Sequence, residues 1–169
     1  EIAQSAGLGV SSLYYYFGNK HEVLERIVDE VNRVPLAIAA DVVEFFDDAP
    51  RQLHAFIRND AAALCEFPFD INEVHRLAGD DRTMFATYWA DRQQLVDSVE
   101  AIVKQGISAG VFQVVDAPLC ALSILANDEA VQNWYRPSTT PPSLGLPTSA
   151  DEIGVFVADL SLRGLLVEP

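Results

Sequence analysis

Three tyrosines and a lysine near the start of the chain are the residues best suited to chemistry. Tyr14, Tyr15 and Tyr16 are consecutive, and Lys20 follows four residues after the last of them. A short helix cannot bury three consecutive side chains, so some of these hydroxyl groups face solvent or a partner. Tyrosine hydroxyls and lysine ammonium groups donate hydrogen bonds to phosphate oxygens. The spacing therefore favours contact with a phosphate backbone.

The residues around these tyrosines predict a helix-turn-helix. Ala3 is small enough for the crossing of two helices, and Gly7 tolerates the left-handed backbone of the turn. Apolar side chains at Ile2, Leu13 and Phe17 hold the second helix against the first. That second helix then lies in the major groove of DNA. The predicted DNA-contacting residues are Val10, Ser11, Ser12, Tyr14, Tyr15, Tyr16 and Lys20.

Residues 2–20 resemble the second, recognition and fourth helices of the TetR family of transcriptional regulators. The family pattern Ile-Ala-x-x-Ala-Gly, six residues, Tyr-x-Tyr-Phe-x-x-Lys is matched without a gap. The resemblance implies that the three tyrosines and Lys20 touch the DNA backbone or bases. It also implies that the family's first helix and the start of the second precede Glu1, so the module is expected to be incomplete in this chain.

Two positions depart from the family pattern. Gly9 stands where the family usually has Ser or Thr as the N-cap of the recognition helix, and Gly is an acceptable cap. Val10 stands where Lys or Arg is common, which removes a cationic contact. Apolar contact with a thymine methyl group is the natural replacement, so we expect a thymine at that position of the operator.

The net charge of −14 opposes binding to nucleic acid by charge alone. In residues 1–34 acidic side chains also outnumber basic ones. The DNA-binding prediction therefore depends on the motif. The alternative is a helical interaction protein in which the same two amphipathic helices never bind DNA. Substitution of Tyr15 distinguishes the two hypotheses, because it should abolish DNA binding and leave the fold intact.

The remaining composition disfavours several other classes of protein. No apolar run approaches the ~20 residues that a membrane span needs. Cys65 and Cys120 lack the spacing of a disulfide scaffold or a zinc site, and we expect buried thiols in a reducing cytoplasm. Neither a catalytic-triad order, a paired-carboxylate motif nor a Gly-rich phosphate loop is found. We therefore predict no enzymatic activity, no metal and no cofactor.

Helical periodicity without sustained strand alternation predicts an all-α fold. Asn19 with Glu22 forms a capping box that opens a long helix, which Pro35 is expected to bend or break. A loop rich in Pro, Ser, Thr and Gly is predicted at 136–149. Helices are predicted at 1–6, 10–17, 19–46, 48–67, 71–77, 81–108, 119–135 and 151–166.

The helices of residues 50–135 are expected to enclose an effector pocket. Aromatic and aliphatic side chains prevail there, which favours a hydrophobic or amphipathic effector. Arg92 lies within an apolar stripe, where it meets either a ligand carboxylate or an internal aspartate. For each single residue, ordinary core packing is the alternative. The predicted effector-contacting residues, with Phe69 as a further candidate, are Phe56, Phe67, His75, Met84, Tyr88, Trp89, Arg92 and Trp134.

The resemblance implies a homodimer formed by the last two helices as a four-helix bundle. The final helix offers apolar side chains for this purpose, although a buried core helix has the same pattern. The two DNA-binding modules of a dimer (the readers) must also lie one helical turn of DNA apart, or a multiple of that. Asp128 and Glu129 are expected at the rim of the interface. The apolar side chains of the final helix are Ile153, Phe156, Val157, Leu160 and Leu165.

These features together predict a helix-turn-helix DNA-binding module at 1–34, followed by an effector-binding and dimerisation domain at 35–169. The predicted protein is a repressor that binds double-stranded operator DNA. A small-molecule effector displaces the long helix that starts near His21, and the separation of the two recognition helices changes. The repressor then leaves its operator.

Overall fold

The computed structural model describes residues 18–135 and 149–167, and these residues form six α-helices and no β-strand. The helices predicted at 1–6 and 10–17, and most of the loop at 136–149, lie outside the described residues. The all-α prediction is confirmed. The helices are α1 (Lys20–Phe45), α2 (Ala49–Glu66), α3 (Ile71–Asp80), α4 (Ala86–Ser108), α5 (Ala117–Trp134) and α6 (Ala150–Arg163).

Side-chain caps fix where the helices begin. The Asn19 side chain accepts a hydrogen bond from the Glu22 amide at 3.0 Å, as predicted, while the Glu22 carboxylate accepts from the amide of Gly18 at 2.8 Å. Ser149 and Glu152 form a complete capping box at the start of α6. Such caps satisfy amide groups that have no partner inside the helix. Asp48, Asp70 and Asp116 cap α2, α3 and α5 in the same way.

Pro35 lies inside α1, which continues to Phe45 without a break. Of the two outcomes expected at Pro35, a bend or a break, the break is therefore wrong. Proline removes one hydrogen bond, the one from its own nitrogen to the carbonyl of Val31. The packing of α1 against α4 and α2 outweighs that loss. The start of α4 also differs from prediction, because a turn at 81–85 precedes it.

The core surrounds α2, which packs most extensively against α6 and also contacts α1, α4 and α5. Leu53, Phe56 and Ile57 of α2 are completely buried. Gly154 of α6 permits the close approach, since a Cβ atom there would lie 2.2 Å from the carbonyl oxygen of Arg58. A smaller cluster lies between α1, α3 and the start of α4. Its centre is Tyr88, which is also completely buried.

Candidate effector cavity

A cavity of about 250 Å³ lies where five of the six helices meet. Its size is close to the lower end of what small-molecule sites show. Aliphatic and aromatic side chains form most of its wall, and exposed residues mark where it reaches the surface. Its lining residues are Val31, Asn32, Val34, Pro35, Asp60, Ala63, Leu64, Glu66, Phe67, Pro68, Ile71, Arg92, Leu95 and Glu129.

A chain of polar contacts crosses one side of the cavity. Arg92 and Glu129 form an ion pair at 2.5 Å, and both side chains are largely buried. The other carboxylate oxygen of Glu129 lies 3.1 Å from Nε2 of His75. The hydroxyl of Tyr88 is hydrogen-bonded to Nδ1 of the same imidazole. With its proton on Nε2, His75 donates to Glu129 and accepts from Tyr88.

Asp60 contributes a second carboxyl group to the wall of the cavity. The residue is only 4% exposed, and no other described residue forms a hydrogen bond with its side chain. Burial raises its pKa from an ordinary value of 3.8 to about 7, and the neighbouring charge of Glu129 acts in the same direction. The charge of Arg92 opposes the shift. Desolvation therefore outweighs the attraction of the guanidinium.

Asp128 is completely buried inside the subunit, so its expected place at the rim of a dimer interface is wrong. The apolar positions of α5 explain the difference, since Leu125 and Val131 are buried on the same helical face. Neither carboxyl oxygen of Asp128 has a hydrogen-bond partner among the described residues. Burial, and then the charge of Asp60, raises its pKa well above the ordinary value. Glu129 also points inward, towards Arg92.

Two of the predicted effector-contacting residues, Phe67 and Arg92, line the cavity. His75 and Tyr88 stand behind the wall and reach it through Glu129. The remaining predicted residues lie elsewhere: Phe56 is in the larger core, Met84 and Trp89 pack against the smaller cluster, and Phe69 and Trp134 are exposed.

Sequence reasoning missed Asp60, Glu129 and the contribution of α1. A signal for Asp60 was present, because it continues the buried stripe of Leu53, Phe56 and Ile57 at helical spacing. A carboxyl group inside an apolar stripe faces the interior, where aspartates are rare unless they are paired. The cavity residues of α1 gave no such signal, because their apolar pattern is that of any core-facing helix.

The residues predicted to contact DNA lie almost entirely outside the described part of the chain. These are Val10, Ser11, Ser12, Tyr14, Tyr15 and Tyr16. Lys20 is the first residue of α1. In the described part of the chain, α1 is therefore the element that connects the predicted DNA-binding segment to the cavity. It begins directly after that segment and continues to the cavity wall.

Two protein-family descriptions match this chain and together identify its family. Residues 51–165, about two thirds of the chain, match the family described as "Tetracyclin repressor-like, C-terminal domain". Residues 1–27 match "Bacterial regulatory proteins, tetR family". The chain belongs to the TetR family. The resemblance first seen in residues 2–20 is confirmed, and the chain is a DNA-binding transcriptional regulator, a class that is generally non-enzymatic.

Solved structures share the fold over nearly the whole chain. A TetR family regulator, PfmR from Thermus thermophilus, is 26% identical, with a TM-score of 0.80 over 99% of this chain and 87% of that one. The ketosteroid regulator KstR2 of Mycobacterium tuberculosis is 22% identical, with a TM-score of 0.76 over 99% and 83%. AibR, solved with isovaleryl coenzyme A and operator DNA, is 19% identical, with a TM-score of 0.74 over 94% and 83%. No curated protein matches this sequence.

The described residues contain neither a membrane-spanning helix nor a metal-binding cluster. None of the described helices combines the length and the apolar character that crossing a membrane requires. Within the same residues, His, Cys, Asp and Glu side chains do not form a group of three that could hold a metal ion.

Proposed function

We propose that this regulator is a repressor released from operator DNA by a small effector that binds in the cavity. The observation that carries the proposal is the course of α1. This single helix begins at Lys20, directly after the matched DNA-reading segment, and supplies Val31, Asn32, Val34 and Pro35 to the cavity wall. At 1.5 Å per residue, Lys20 and Val31 are about 16 Å apart along the helix. A displacement of α1 by the effector therefore reaches the reader.

The contacts of α1 explain how an effector would shift it. Asn32 is buried and donates a hydrogen bond of 2.9 Å to the backbone carbonyl of Tyr88 in α4. This bond ties α1 to α4, which supplies Arg92 and Leu95 to another part of the cavity wall. A molecule that occupies the cavity between the two helices favours a different position of α1. It shifts the population away from the DNA-bound form only if it binds the released form more tightly.

We further propose a homodimer through α5 and α6. Leu119 and Leu122 of α5, and Phe156 and Leu160 of α6, are each about half exposed or more. The members of each pair lie three or four residues apart, so each pair occupies one helical face. Ile153, Val157 and Leu165 instead belong to the subunit's own core. The exposed face supports an isologous contact that would pair two readers for the half-sites of an operator.

The division of the chain at 34/35 stays part of this proposal. The boundary falls inside α1, so the two functional parts share a helix. A continuous helix transmits a displacement from the effector-binding domain to the DNA-binding module, whereas a flexible linker would not.

The test uses full-length protein and the DNA upstream of its own gene. We expect a specific complex in a gel-shift assay, and we expect compounds that raise the melting temperature to dissociate it. Tyr15→Ala should abolish the complex without changing thermal unfolding. Phe45→Ala, which alters an exposed aromatic residue at the far end of α1, is the matched control and should bind normally. A protein that ignores its upstream DNA, or a complex indifferent to every stabilising compound, contradicts the proposal.

A further inference from the structure

The polar part of the cavity wall is acidic. Among the described residues, three carboxyl groups line it: Asp60 and Glu129 in the interior, and Glu66 at the exposed edge. Arg92 is the only cationic side chain among these described lining residues. Its charge is already matched by Glu129 at 2.5 Å. An anionic ligand would therefore meet unbalanced negative charge, and a cationic ligand would relieve it.

Asp60 is the group on which recognition would depend. Only 4% of the residue is exposed, it faces the cavity, and no described residue supplies it with a hydrogen bond. A buried carboxyl without a partner is costly, and a cation placed next to it offsets that cost. Asn32 is the uncharged polar residue among the described residues of the wall, and its amide already donates to the carbonyl of Tyr88. The unsatisfied group in the wall is thus an acceptor.

We propose that the cavity binds a small apolar molecule carrying one ammonium group, and that this group forms an ion pair with the carboxylate of Asp60. The inference rests on the proposed function of the cavity as the effector site. The aliphatic wall of Leu64, Ile71 and Leu95 would hold the apolar part. A volume of about 250 Å³ suits a molecule of modest size rather than a long-chain or polycyclic one.

Binding of a cation is also coupled to the release of a proton from Asp60. The charged groups near Asp60 are Asp128 and Glu129 on α5 and Arg92 on α4, with His75 of α3 behind Glu129. The pKa of Asp60 is raised to about 7, so near neutral pH a part of the population is protonated. An ammonium group stabilises the ionised form and lowers that pKa. The ligand should therefore release protons on binding and bind more tightly as the pH rises through about 7.

The experiment compares three molecules of equal chain length that differ in charge: hexylamine, hexanol and hexanoate. Titration calorimetry on the full-length protein near neutral pH is expected to give a dissociation constant for hexylamine at least about tenfold below the other two. Repetition in two buffers of different ionisation enthalpy measures the released protons. Equal or tighter binding of hexanoate, or no saturable binding of hexylamine, overturns the proposal.

Two substitutions of buried aspartates separate recognition from folding. Asp60→Asn keeps the shape of the protonated side chain and should remove both the preference for hexylamine and the proton release. Asp128→Asn alters an equally buried carboxyl that does not line the cavity. It should keep the preference for the cation. An Asp60→Asn protein that melts cooperatively and still prefers hexylamine by the same factor overturns the assignment of Asp60.

The gel-shift assay distinguishes failure of this inference from failure of the proposed function. If hexanoate rather than hexylamine dissociates the DNA complex, the cavity is an effector site and the ammonium preference is wrong. If hexylamine binds through Asp60 while the DNA complex is unchanged, the recognition is right and the release mechanism is wrong.

Discussion

Burial, and then the neighbouring carboxyl group of Asp60, raises the pKa of Asp128, a carboxyl on another helix whose two oxygens have no hydrogen-bond partner among the described residues. Asp60 belongs to α2 and Asp128 to α5, so this electrostatic interaction joins two helices that pack against each other. Burial is the largest cause of the shift in both residues. The interior of this sensor is therefore expected to favour protonated aspartates, and its stability should depend on pH.

The first prediction concerns that dependence. The folded-state pKa of Asp60 is raised from 3.8 to about 7, so the folded protein holds a proton that the unfolded chain has released between these values. The stabilisation is present at low pH and is lost as the pH rises through about 7. Between about pH 5 and about pH 8 the loss amounts to about 3 kcal/mol for this one group. Urea unfolding of Asp60→Asn should lack this part of the decline.

The control for Asp60→Asn is Asp47→Asn, which alters an exposed carboxyl. Its pH profile should parallel that of the wild type. If the difference in unfolding free energy between the wild type and Asp60→Asn does not change over this pH range, the raised pKa of Asp60 is contradicted.

The second prediction concerns the ion pair between Arg92 and Glu129. Replacement of Arg92 by Met leaves Glu129 and Asp60 in the interior without a cation. We expect Arg92→Met to lower the free energy of unfolding near neutral pH by about 3 kcal/mol. Arg76→Met removes an arginine that also pairs with two carboxylates, Glu73 and Asp80, but on the exposed surface of α3. Its melting temperature should stay close to that of the wild type, and equal losses for both variants would contradict the argument.

The third prediction compares the same glycine-to-alanine substitution at two positions, one in close contact and one exposed. A Cβ atom at Gly154 would lie 2.2 Å from the backbone oxygen of Arg58, so Gly154→Ala must move α6 away from α2. We expect a loss of about 1–3 kcal/mol in chemical denaturation. Gly79 is exposed in α3, with nothing within 4 Å of the same atom. Gly79→Ala should stabilise by about 0.5–1 kcal/mol. A stable Gly154→Ala protein would show that the two helices are not in such close contact.

The fourth prediction concerns the dimer. A double substitution, Phe156→Glu with Leu160→Glu, places charge on the exposed face of α6 and should give monomers in analytical ultracentrifugation. The helical signal in circular dichroism should persist, because neither side chain is in the core. Phe45→Glu alters a side chain that is even more exposed, on α1. This control should keep the mass of the wild type, and a wild type that sediments as a monomer contradicts the proposed interface.

Local sequence signals predicted most helix boundaries. The capping box of Asn19 and Glu22 placed the start of α1, because a cap involves residues only two or three positions away. At Pro35 the same reasoning left a bend or a break open, and the helix does not break. The effect of Pro35 depends on whether neighbouring helices hold α1 together, and that information is not local.

The sequence by itself determined the all-α class and the DNA-reading motif of residues 2–20, because helical periodicity and motif spacing are properties of neighbouring residues. Tertiary structure decided the cavity and the raised pKa of Asp60. Asp60, Arg92 and Glu129 come from three different helices, and burial by residues distant in the sequence is what raises the pKa of Asp60. Tyr14, Tyr15, Tyr16 and Lys20 lie in the segment that matches the TetR family. Asp60, in the cavity wall, indicates what the cavity is proposed to recognise.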